Sequence, residues 1–117
     1  MKKFGVKASA EGAGGEYVLG LKDTGTHACY MIYGSLAPGQ TGRQIKPGAG
    51  HEEIVMAVRG DLGLTGPFVG KLGEDTLREG EAFHIKGEAT CFLDNPSETE
   101  SAIYVVAGGH SEGGEHH

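Results

Sequence analysis

The sequence has no tryptophan, only two cysteines and four prolines, and no stretch as long as the ~18 apolar residues a membrane-spanning helix needs. Cys29 and Cys91 have no CxxC partner, which excludes a disulfide framework and a zinc finger, and both are expected as free thiols packed like small hydrophobes. No long apolar segment follows Met1-Lys2-Lys3-Phe4-Gly5-Val6, so neither a secretion leader nor a membrane anchor is expected, and the chain is placed in the cytoplasm. Ten basic against sixteen acidic residues give a net charge of −6 without a dense Lys/Arg cluster, which argues against nucleic acid as a partner. G-x-S-x-G, G-x-x-x-x-G-K-[ST] and H-E-x-x-H are all missing, and His51-Glu52-Glu53 lacks the second His of a metalloprotease helix.

Glycine is the residue in excess, with 22 among 117 and no Gly-X-Y period, which points to many turns in one domain. Short apolar runs recur at Tyr17-Val18-Leu19, Ala28 to Tyr33, Ile54 to Val58, Leu62-Gly63-Leu64, Ala82 to Ile85, Thr90 to Leu93 and Ala102 to Val106, separated by Gly, Asp, Asn or Pro. Helical periodicity has no room to develop, so an all-β antiparallel sandwich or barrel is expected. Residues 1–15 hold little that is large and apolar and are expected as a flexible arm, with the barrel over 16–107. The Gly- and His-rich tail, 108–117, is expected to be flexible as well, and His116-His117 reads equally as natural sequence or tag.

Two segments carry a resemblance. Glu53, six intervening residues and Gly60 resemble the second half of the first cupin motif, and Gly80 to Asn95 resembles the second motif at both of its ends. The likeness spans roughly residues 30–107 and implies a double-stranded β-helix, the jelly-roll barrel of the cupins, opening onto one ligand site. Cupins commonly hold a divalent metal with two His and a Glu from the first motif and a His from the second. Here Pro47 and Ala49 stand at the His-x-His positions, Cys91 stands for the later His, and Lys86 and Glu88 replace the turn Pro and Gly.

His51 precedes Glu53 by two, so both side chains project to one side of a strand, and Cys91 on a facing strand could complete a ligand set. His51, Glu53 and Cys91 are thus the candidate site, either for a small polar ligand or as N, O and S donors for Zn, Fe, Mn or Ni. A metal-free alternative, as in cupins that epimerise sugars, pairs His51 with Tyr30, Tyr33 or Tyr104 for proton transfer. The function classes are therefore a ligand- or metal-binding cupin module or a cupin enzyme. The enzyme would be an oxygenase or isomerase with a rearranged ligand set, or a metal-free epimerase or lyase. His84 alternates with Phe83 and Ile85 and is expected outside, whereas His27 shares a period with Cys29 and Met31 and could face inward. Arg59-Gly60-Asp61 reads as the turn that ends the Glu53 strand. The run Ile54 to Val58 is apolar on both strand faces, which predicts a homodimer.

Overall fold

The computed structural model describes residues 1–111. One antiparallel sheet has the order β1 (Glu16–Leu19), β2 (Cys29–Leu36), β9 (Ala102–His110), β4 (Gly48–Arg59), β7 (Ala82–Gly87). The second has the order β3 (Arg43–Ile45), β8 (Cys91–Asp94), β5 (Leu62–Thr65), β6 (Glu74–Leu77). The all-β jelly roll expected from the sequence is therefore what forms. Each apolar run became a strand, while β3 and β6, which bury only Ile45 and Leu77 respectively, carry too little apolar pattern to be noticed in advance.

Alternation builds the core. On β4, Glu53, Val55 and Ala57 turn inward, and on β9, Ala102, Tyr104 and Val106 do the same. They meet Leu62 and Leu64 of β5 and Cys91 and Leu93 of β8, so the two sheets close on one apolar interior. The intervening β4 residues Ile54, Met56 and Val58 are 52%, 39% and 44% exposed on the outer face. β4 stops at Arg59, and Gly60 turns the chain at a left-handed φ of 81°, as the triplet Arg59-Gly60-Asp61 suggested.

Both ends of the barrel carry further elements. Residues 6–11 form a short helix, α1 (Val6–Glu11), with Ala10 buried and Phe4 and Val6 half-buried. The arm is fastened where the Ser35 N–H donates to the Gly15 carbonyl at 2.7 Å, so backbone bonding supplies what large side chains do not. A second short helix, α2 (Leu21–Thr24), ends at Gly25 with φ 80°. At the other end β9 runs past residue 107 to His110, because β2 and β4 flank it and pair with Gly109 and His110. His116 and His117 lie outside the described residues. Cys91 is buried as expected, but Cys29 is exposed, since it begins β2 on the side away from the core. No helix among the described residues is long and apolar enough to cross a membrane.

Candidate functional site

Three central strands bring one row of residues into register: Tyr30 on β2 faces Gly108 on β9, and Gly108 faces Glu53 on β4. The phenol ring of Tyr30 lies over Gly108, where any Cβ would overlap it, and its hydroxyl donates to the Glu53 carboxylate. Glycine inside a strand marks such close approaches. Glu53 is only 5% exposed, so this bond gives a partner to a carboxylate that would otherwise be buried without one. Burial first, then the hydrogen bond and charge of Glu53, push the Tyr30 phenol far above its usual range, so it remains a donor.

The same arrangement occurs a second time. Tyr104 crosses Gly34 to donate to Glu16, and the Arg43 guanidinium donates to the Tyr104 hydroxyl at 2.7 Å. That row ties the edge strand β1 and the short strand β3 to the barrel. The Tyr30 row instead reaches the surface at the mouth.

His51 is half-buried at the mouth with its ring edge-on to Tyr30, the ring centroids 6.0 Å apart. The His110 ring lies 5.0 Å from that of His51, also edge-on, and His27 lies 6.3 Å from His110. A cavity of about 250 Å³ opens here, lined by His27, Cys29, Tyr30, Pro47 and His51 together with Val18, Leu21 and Thr26. His27 is exposed two residues before β2, where it lines this cavity with Cys29.

The three sequence candidates are divided between two places. His51 lines the mouth cavity, and Glu53 joins it through Tyr30. Cys91 lines a second cavity with Leu64, Phe68, Val69, Phe83 and Ile85. Burial first and the charge of Glu53 second push the Cys91 thiol up to about 11, so at neutral pH it is a protonated thiol. Sequence reasoning offered three tyrosines without choosing Tyr30, and it missed His110, which was assigned to the tail. His110 continues the inward period of Tyr104, Val106 and Gly108, which was the available signal.

The metal implied by the cupin motifs does not fit these residues. Pro47 and Ala49 have no donor side chain, and Cys91 lines a different cavity from His51. One oxygen of Glu53 is engaged by Tyr30. Among the described residues no group of three or more His, Cys, Asp or Glu is placed to hold a metal ion. The motif replacements serve a different end: Glu88 accepts the Ala49 N–H at 3.0 Å and pairs with Lys46 at 3.1 Å, clasping the β7–β8 turn to the start of β4. His84 projects outward and pairs with Glu52 at 2.7 Å, holding that carboxyl below its usual range.

No protein-family model matches the sequence, and no match is found among curated proteins. Solved structures do match. An oxalate oxidase is 28% identical, covering 82% of this chain and 51% of its own, with a TM-score of 0.62. Oxalate oxidase in complex with the substrate analogue glycolate is likewise 28% identical, covering 86% of this chain and 53% of its own at a TM-score of 0.61. This chain thus spans about half the length of those structures. The Cupin_2 domain of an XRE family transcriptional regulator from Enterobacter cloacae is 19% identical, covering 84% of this chain and 99% of its own, with a TM-score of 0.63. With the two-sheet barrel, the Glu53-to-Gly60 and Gly80-to-Asn95 spacings, and these neighbours in agreement, the chain is a member of the cupin superfamily.

Proposed function

We propose that the barrel mouth binds a small carboxylate without a metal, through the imidazole of His51, with His110 and His27 beside it and the Tyr30–Glu53 pair as a floor that keeps the Glu53 carboxylate engaged. The observation that carries this reading is the group of imidazoles at the mouth, with the His51 and His110 ring centroids 5.0 Å apart and His27 6.3 Å from His110, while the Tyr30–Glu53 bond across Gly108 keeps that carboxylate occupied. Imidazole N–H groups can donate to a carboxylate, and a cavity of about 250 Å³ admits only a small one. Drug-sized ligands generally occupy about 300–1,000 Å³. The likeness to oxalate oxidase, solved with glycolate, favours the same chemical class. Titration calorimetry with oxalate and glycolate tests it, using full-length protein in which His116→Ala and His117→Ala remove the terminal imidazoles. Binding that survives exhaustive chelation and is lost in His51→Ala is expected, whereas stoichiometric metal lost on His51→Ala or Glu53→Ala would support a rearranged metal centre instead.

A metal-free enzyme is the second reading, because Tyr30 is the one tyrosine of Tyr30, Tyr33 and Tyr104 that lies beside His51. An imidazole and a phenol on one rim could pass a proton to and from a sugar or acid. Deuterium uptake from D₂O next to a substrate carbonyl, abolished by His51→Ala, is its signature. The exposed Cys29 thiol accords with a reducing cytoplasm. The apolar outer face formed by Met31, Ile54, Met56 and Val58 supports a homodimer.

A further inference from the structure

The second cavity, about 220 Å³, is lined by Leu64, Val69, Phe83, Ile85 and Cys91, with Phe68 at its edge, and shares no lining residue with the cavity at His51. Nothing in the mouth site uses it. Cys91 is 1% exposed at its inner wall, and Leu64 and Ile85 are 7% exposed each, whereas Phe68, Gly70, Asp75 and His84 at its rim are exposed, so this is an open cleft with a buried apolar floor. Its volume of about 220 Å³ accommodates a single aromatic ring with a short substituent.

A glycine-rich loop borders the cavity. It runs Gly66-Pro67-Phe68-Val69-Gly70-Lys71-Leu72-Gly73, and its glycines have φ of 140°, 56° and 75° at Gly66, Gly70 and Gly73. The Gly66 N–H donates to the Gly73 carbonyl at 2.9 Å and the Val69 N–H to the Gly66 carbonyl at 3.1 Å, so the loop is closed at its base. Val69 packs on the core while Phe68 is 69% and Leu72 87% exposed. A closed-base loop holding two large apolar side chains in water gains burial if it folds over an apolar guest.

Only one rim is polar, and it is acidic. Asp75 lines the opening with one oxygen accepting the Thr76 N–H at 2.8 Å, and His84 beside it is engaged by Glu52. A guest would therefore place its ring against Phe83, Ile85 and Cys91 and direct a donor toward Asp75. We infer that this cavity binds a single-ring aromatic amine or alcohol beneath the loop 66–73, independently of the carboxylate site at the mouth.

Benzylamine, benzyl alcohol and benzoate are the probes, added to full-length Cys29→Ser protein so that Cys91 is the sole thiol. Amide shifts at Gly66, Val69, Gly70 and Cys91 should saturate with benzylamine and benzyl alcohol. At ten times the dissociation constant, benzylamine should slow Cys91 alkylation by iodoacetamide about tenfold. Val69→Trp should fill the cavity and abolish both effects. Phe68→Ala, which alters an exposed residue and leaves folding intact, should weaken binding severalfold. His51→Ala should leave the benzylamine response unchanged even if it abolishes oxalate binding. Absence of shifts at the loop, alkylation unaffected by benzylamine, or benzoate binding more tightly than benzylamine would overturn the inference.

Discussion

Gly108 and Gly34 do the same mechanical work with different consequences. Each leaves room for a tyrosine ring to cross a strand, and each crossing ends on a glutamate, Glu53 in one row and Glu16 in the other. Gly108→Ala is expected to cost about 1–3 kcal/mol in urea unfolding and to weaken oxalate binding. Gly34→Ala should cost a similar amount while leaving binding unchanged in the folded protein. The same tyrosines, together with Cys91, set the alkaline limit of stability. Their folded protons are held above the ordinary 10.0 of a phenol and 9.0 of a thiol. The unfolded chain releases those protons first, so stability is full below about pH 9 and declines as pH rises from there. Thermal melting from pH 7 to 11 should show that decline, and Tyr30→Phe with Tyr104→Phe should make it shallower.

The strands differ in how plainly the sequence announced them. Ile54 to Val58 and Ala102 to Val106 are dense in β-branched and apolar residues, and their cores were legible from composition alone. The apolar run Ala28 to Tyr33 stops short of Gly34, yet β2 continues through it to Leu36, because the Tyr104 ring fills the space a side chain would occupy. His110 was hidden for a related reason. Gly108-Gly109 looked like the start of a tail, but Gly108 is the residue over which Tyr30 passes. Glu53 was found through the cupin spacing, whereas its partner Tyr30, 23 positions earlier, is tied to it only by the sheet. The motif's closing Asn95 is buried and donates to the carbonyls of Leu36, Ala37 and Glu100, at 3.2, 3.1 and 2.8 Å, which joins the end of β2 to the segment before β9. Asn95→Ala should destabilise the barrel by about 1–3 kcal/mol in chemical denaturation through those orphaned carbonyls.

The barrel as a whole keeps cupin architecture while placing His51 and Cys91 on two separate cavities. His27, Tyr30 and His51 line the mouth, and Leu64, Phe83 and Ile85 line the cavity of Cys91. The outer face of the five-stranded sheet completes the picture, since Ile54, Met56 and Val58 lie exposed along one strand next to β9. Sedimentation at micromolar concentration should give a dimer, and Ile54→Glu with Met56→Glu should give a folded monomer. A wild-type monomer would contradict the homodimer. The central claim concerns the mouth, and oxalate calorimetry on chelated full-length protein carrying His116→Ala and His117→Ala tests it most directly. One oxalate per chain, lost in His51→Ala and retained without metal, is the predicted result; binding that appears only when a divalent metal is restored would contradict it.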